Sequence, residues 1–98
     1  MNLNTVNDIA SELFLALRNQ ETITPLTNSY PEIDINDAYQ ISRKFLSLRE
    51  GEGEKLVGKK IGVTSSVVQE MLGVNQPDFG FLTDVMQVNN KSNFDVFK

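Results

Sequence analysis

The chain has 98 residues, 40% of them hydrophobic and 22% charged, the makeup of one small globular domain. It has no Cys and no His, which excludes disulfides, a thiolate nucleophile and any Ser-His-Asp arrangement. The net charge of −4 divides into nine acids against four bases over residues 1–54 and four against five over 55–98, leaving no basic stripe for nucleic acid.

Val6, Ile9, Ala10, Leu13, Phe14 and Leu17 recur at helical spacing and predict an amphipathic helix over 4–19. Asp8 and Glu12 interrupt its apolar residues, so no signal peptide or membrane span is expected and a cytoplasmic protein is the default. Residues 20–33, with two prolines, read as an irregular connection. Asp34 as N-cap with Asp37 three residues on predicts a second helix over 35–49, with Ala38, Tyr39, Ile41, Phe45 and Leu48 facing the core and Gly51 as its stop. Phe14 and Phe45 read as core residues. Glu50 to Glu54, spaced by glycines, reads as a solvated turn rather than a cation site.

A strand over 55–63 follows, then a short helix from Ser65 or Ser66 to Leu72 that Gly73 stops. Gln76-Pro77-Asp78 reads as a turn and 80–88 as mostly strand. A turn at 89–93 and a strand at 94–98 complete the reading. A strand ending without a polar tail suggests the front of something longer. The fold class is α+β, two N-terminal helices packed on short strands, with residues 1–98 forming a single N-terminal domain or fragment.

In the 55–63 strand, Gly58, Lys60 and Gly62 share one face, so Lys60 has no side chain on either same-face neighbour. The strand leads into Thr64-Ser65-Ser66, a helix start whose outward N–H groups favour an anion. This pattern fits either a carboxylate pocket or a solvated lysine beside an ordinary cap. A helix terminus supplies roughly 0.3–1 kcal/mol when exposed, and a charge-assisted hydrogen bond roughly 1.5–3 kcal/mol. Together these barely reach the ~4 kcal/mol of millimolar affinity, so other groups are needed to hold a small acid. Asp78 is either a turn-former or a carboxylate walled by Phe79 and Phe81 and suited to proton transfer.

Asp37-Ala38-Tyr39, Val57 through Ser65, Gln69 through Val74, Gln76 through Gly80 and Leu82 through Met86 follow one another in an order and spacing that resemble a known family. It is that of the 2-oxopent-4-enoate (2-hydroxypenta-2,4-dienoate) hydratases and the related 4-oxalocrotonate decarboxylases, within the fumarylacetoacetate hydrolase superfamily. The resemblance covers Asp37 to Met86, roughly half the chain, and concerns the N-terminal part of those enzymes. It implies that Lys60 contacts a 2-oxo acid, that Asp78 takes part in proton transfer, and that Leu72 lies where backbone approaches the substrate. It further implies a divalent metal, Mg²⁺ or Mn²⁺, that helps stabilise an enolate, a small 2-oxo or 2-hydroxy-dienoic acid as ligand, and a homo-oligomer. Ser42 departs from the family's Gln. The family's metal carboxylates, a Glu-x-Glu and a later Glu, follow the segment matching Leu82–Met86 and have no counterpart up to Lys98. The expectation is therefore the N-terminal segment of a hydratase, inactive alone. A decarboxylase and a non-catalytic acid-binding or assembly module are the alternatives.

Overall fold

The computed structural model describes residues 1–88. In chain order they form α1 (Leu3–Asn19), α2 (Leu26–Ser29), α3 (Ile35–Gly51), β1 (Leu56–Gly62), α4 (Ser66–Leu72), β2 (Asp78–Thr83) and a 3-10 turn (Asp84–Met86). The class is α+β. Two compact units are divided after Gly53, one helical and one built on the strand pair. The predicted turn at 89–93 and strand at 94–98 lie outside the described residues. No helix among the described residues is long and apolar enough to cross a membrane.

In the helical unit, α1 begins where the Asn2 side chain accepts from the Thr5 N–H at 2.9 Å and ends at Gln20 in the left-handed region, φ +56°. Its apolar stripe supplies Val6, Ile9 and Ala10 to a core that Ile41 of α3 completes. Full burial of an Ile or Val contributes roughly 1.5–3 kcal/mol, so these few residues dominate the unit's stability. Leu13, Leu26, Tyr30, Ile33, Phe45 and Leu48 pack around them, and the Phe14 and Phe45 rings meet edge to face at 6.3 Å. Both rings are only half-buried, and Ala38, expected inside, is exposed. The core side of α3 is instead shared with two buried charged residues, Asp37 and Arg49.

The capping box is present in full. Asp37 N–H donates to the Asp34 carboxylate at 2.8 Å, and Asp34 N–H donates to the Asp37 carboxylate at 3.1 Å. Beyond its expected end, α3 continues through Gly51, and the glycine in the left-handed region is Gly53, φ +97°. Residues 20–33 are not wholly irregular, because Pro25 presets the backbone for the single turn α2.

In the second unit, β1 and β2 form an antiparallel ribbon pairing Gly58 with Leu82, Lys59 with Phe81, Lys60 with Gly80, Ile61 with Phe79 and Gly62 with Asp78. A bulge at Val57 shifts the register before Leu56 pairs with Thr83. Strand β2 starts at Asp78, earlier than expected, and ends at Thr83, where the 3-10 turn replaces the predicted continuation. The base of the ribbon is clasped twice. Lys55 N–H donates to the Asp84 carboxylate at 3.0 Å while Asp84 N–H donates to the Lys55 carbonyl at 2.9 Å.

The Thr83 hydroxyl donates to the Glu54 carboxylate at 2.6 Å, with Thr83 and Glu54 only 1% and 6% exposed. This corrects the reading of Glu50 to Glu54 as a solvated run, since burial of Glu54 demands a partner and Thr83 supplies one. Glu52 also has a partner, accepting from Arg18 at 3.0 Å inside the helical unit. Glu50 and Glu52 both stand exposed as expected, and only Glu54 departs from that reading.

Candidate functional site

Alternation along β1 sends Lys59 and Lys60 to opposite faces of the ribbon, and the register decides what each meets. On one face Lys59 stands opposite Phe81, with Ile61 opposite Phe79. The Lys59 ammonium lies 5.7 Å from the Phe81 ring centroid and 5.9 Å from that of Phe79, and the two rings meet edge to face. That lysine is engaged by cation–π attraction.

The other face carries Gly58, Lys60 and Gly62 from β1 and Asp78, Gly80 and Leu82 from β2. Lys60 is exposed and stands directly opposite Gly80, so it lacks a side-chain neighbour across the ribbon as well as along it. A Cβ at Gly58, Gly62 or Gly80 would meet nothing within 4 Å, and none of the three has a positive φ. Neither local crowding nor backbone conformation requires glycine there. The space over Lys60 is open.

Asp78 pairs with Gly62 and is a diagonal neighbour of Lys60 on this face. Such diagonal pairs have backbones roughly 7–8 Å apart, within reach of long side chains. The two residues singled out separately from sequence are therefore brought together. One detail of the sequence reading is corrected, because Phe79 and Phe81 point to the opposite face and do not wall Asp78, which is exposed.

Thr64 and Ser65 follow directly from the Asp78 end of β1. Ser65 is the N-cap of α4, its hydroxyl accepting from the Val68 N–H at 3.1 Å. Between strand and helix, Val63 takes φ +55°, a left-handed conformation rare for a β-branched residue and costing about 1–3 kcal/mol. Its carbonyl accepts from the Gln69 side-chain amide at 2.9 Å, which fastens the turn to α4. Leu72 closes α4, 61% exposed, before Gly73 ends the helix in the left-handed region at φ +71°. Leu72 thus stands at the opposite end of α4 from the Ser65 cap.

Among the described residues no group of three or more acidic side chains could hold a metal ion. Asp78 is the one carboxylate on the Lys60 face, too few donors for Mg²⁺ or Mn²⁺. Sequence reasoning missed Gly80 as the partner of Lys60 and the aromatic engagement of Lys59. Counting back along a hairpin register would have found both. The seven-residue helix between the strands hid that register.

No family model matches the chain. It is 50% identical over 90 residues to a 2-hydroxypent-2,4-dienoate hydratase of Pseudomonas putida, covering 92% of this chain and 40% of that protein. It is 59% identical over 75 residues to a 2-hydroxyhexa-2,4-dienoate hydratase of Comamonas testosteroni, covering 76% and 28% respectively. Its fold superimposes on a 4-oxalocrotonate decarboxylase from Pseudomonas putida G7, solved with magnesium and adipate, at TM-score 0.81 and 33% identity over 87% of this chain and 32% of that one. The same decarboxylase has also been solved with calcium and acetate, so a divalent ion is seen in this structural group. The chain thus spans two fifths or less of the length of these relatives.

Proposed function

We propose that this chain, which in sequence and fold matches the N-terminal part of the 2-hydroxydienoate hydratases and of a 4-oxalocrotonate decarboxylase, serves as the N-terminal segment of a hydratase acting on 2-hydroxypenta-2,4-dienoate-type acids in aromatic catabolism. The observation that carries the reading is the pairing of Lys60 and Asp78 on one glycine-cleared face of the ribbon. An ammonium there binds the carboxylate and 2-oxo group of the acid and offsets negative charge as it develops on the oxo oxygen. Asp78, a diagonal neighbour, accepts the enol proton as the dienol ketonises and returns a proton to carbon. Water then adds across the remaining double bond, its hydroxyl to one carbon and a proton to the other. Thr64, Ser65 and the backbone around Leu72 form the rim of the same site.

The proposal includes Mg²⁺ or Mn²⁺ in the full-length protein, held by residues other than Lys60 and Asp78, and a metal-binding domain outside residues 1–98. None of the roles given to Lys60 and Asp78 passes through the ion. A cytoplasmic homo-oligomer completes the picture. The decarboxylase is the second reading, favoured by the fold match, and product analysis separates hydrated oxo acid from CO₂.

The test uses the reading frame expressed to its natural stop, with hydration followed by loss of the dienol absorbance. Lys60→Met is expected to lower kcat/KM by about 100-fold or more. Asp78→Asn should lower kcat by about 100- to 10,000-fold with a smaller effect on KM. Full activity in Lys60→Met would overturn the assignment. Metal-dependent turnover by residues 1–98 alone would show that this segment is already a complete enzyme.

A further inference from the structure

The pairing of β1 with β2 carries a surplus residue on the β1 side. Leu56 pairs with Thr83, yet Gly58 rather than Val57 pairs with Leu82, so Val57 is the bulged residue. The same strands have a second arrangement, in which the surplus residue passes into the connection through α4. Leu56 then keeps Thr83, while Val57 meets Leu82, Lys59 meets Gly80, Lys60 meets Phe79 and Ile61 meets Asp78. That one-residue slip exchanges the lysines, giving Lys59 the Asp78 face and Lys60 the aromatic one. Strands carrying Gly58, Gly62 and Gly80 specify register weakly. The clasps at the base of the ribbon, Lys55 with Asp84 and Glu54 with Thr83, precede the bulge and are the same in both arrangements. What selects Lys60 lies beyond Val57.

We propose that Gln69 is a positioning residue that keeps the surplus residue at Val57 and so sets Lys60, not Lys59, beside Asp78. This rests on the functional reading above. The Gln69 side-chain amide donates to the Val63 carbonyl at 2.9 Å, and both residues are half-buried. Val63 directly follows β1 at φ +55°, a conformation that a β-branched residue keeps only when its surroundings impose it. Held so, the chain turns at once into α4, with Val63 and Thr64 as the whole link between Gly62 and the Ser65 cap. Released, Val63 returns to the extended region, the connection takes up the surplus residue and the bulge closes. Side-chain pairing acts in the same direction as Gln69, since the slip trades the Ile61–Phe79 pair for Ile61 against Asp78.

The experiment reads register directly, as cross-strand nuclear Overhauser contacts of Gly80 in the reading frame expressed to its natural stop. The parent is expected to show Gly80 opposite Lys60. Gln69→Met, of similar length and unable to donate, should bring Gly80–Lys59 contacts into about a tenth or more of the molecules. Should it fail to fold, Gln69→Asn, a methylene too short for the Val63 carbonyl, gives the same reading. Deleting Val57 removes the surplus residue, so Gln69→Met in that background should keep Gly80 opposite Lys60. Activity supplies an independent sign. Added to Lys60→Met, Gln69→Met should raise kcat/KM for the dienoate several fold, because Lys59 comes over Gly80, whereas loss of a purely structural bond would lower it. Gly80 contacts to Lys60 alone in the Gln69 variants overturn the proposal, as do Lys59 contacts that persist without Val57 or no rise in the double variant. No turnover by the parent sinks the hydratase reading, and the Gly80 contacts then still decide the role of Gln69.

Discussion

Adjacent lysines in a strand differ only by which face they take, and here that difference sets one against aromatic rings and the other over open space. Lys59 is engaged by two rings, while Lys60 faces three glycines and a diagonal carboxylate. Asp37 shows the opposite economy, with several partners on one side chain. It accepts the Asp34 N–H, and the Met1 ammonium lies 3.5 Å from its other oxygen. The backbone hydrogen bond from Asp34, aided by the positive N-terminus, holds the Asp37 carboxyl below the usual aspartate range, against the opposing effect of burial. A carboxyl depressed in the folded state contributes stability that is fully present above its unfolded pKa and is lost as pH falls through the folded one. Acid unfolding of the chain, followed by far-UV circular dichroism, should therefore include a proton uptake at Asp37 below the ordinary aspartate range. Asp37→Asn, which can still accept the Asp34 N–H, should flatten that limb. An unchanged acid profile in Asp37→Asn would refute the role.

At the scale of elements, α1 and α3 were legible because each signal is local: apolar residues at helical spacing, Asp34 with Asp37 at the start, glycine near the end. Lys60 and Asp78 stood out singly, as candidates, for the same reason. Their shared face was not, because it depends on a register set across α4, and Glu54 was misread because its partner is 29 residues away. The extent of β2 was misplaced by the same lack, since Asp78 after a proline looks like a turn until Gly62 is set opposite it. The Glu54–Thr83 bond gives the clearest test at this scale. Thr83→Val keeps the shape of a fully buried side chain and removes the hydroxyl that donates to a buried carboxylate. It should lower stability by about 1–3 kcal/mol in urea unfolding. Amide exchange should quicken first at the paired base of the ribbon, Leu56 to Gly58. A change below about 0.5 kcal/mol, the range of an ordinary surface substitution, would mean that the bond contributes little.

Across the whole molecule the buried apolar residues are unevenly placed. Val6, Ile9, Ala10 and Ile41 all belong to the helical unit, whereas the buried side chains described in the second unit are Glu54 and Thr83. That second unit instead exposes Leu56, Val57, Ile61, Val67, Val68, Met71, Leu72 and Val74, among others. A two-stranded ribbon is at best marginally stable in water without a covered apolar face. Hydrogen bonds alone contribute too little net free energy to offset the entropy of ordering both strands. The helical unit, with its interlocked α1 and α3, has what the ribbon lacks. In residues 1–98 studied alone, native-state hydrogen exchange should therefore find the slowest amides in α1 and α3. Those of β1 and β2 should exchange faster by about tenfold or more, a gap of about 1.4 kcal/mol in local opening. In any longer protein that covers the ribbon's apolar side chains, that gap should close. Equal protection of β1 and α1 in the 98-residue chain would show that the ribbon is stable without such cover. Lys60 and Asp78 would then be held in register before any further domain is joined to them.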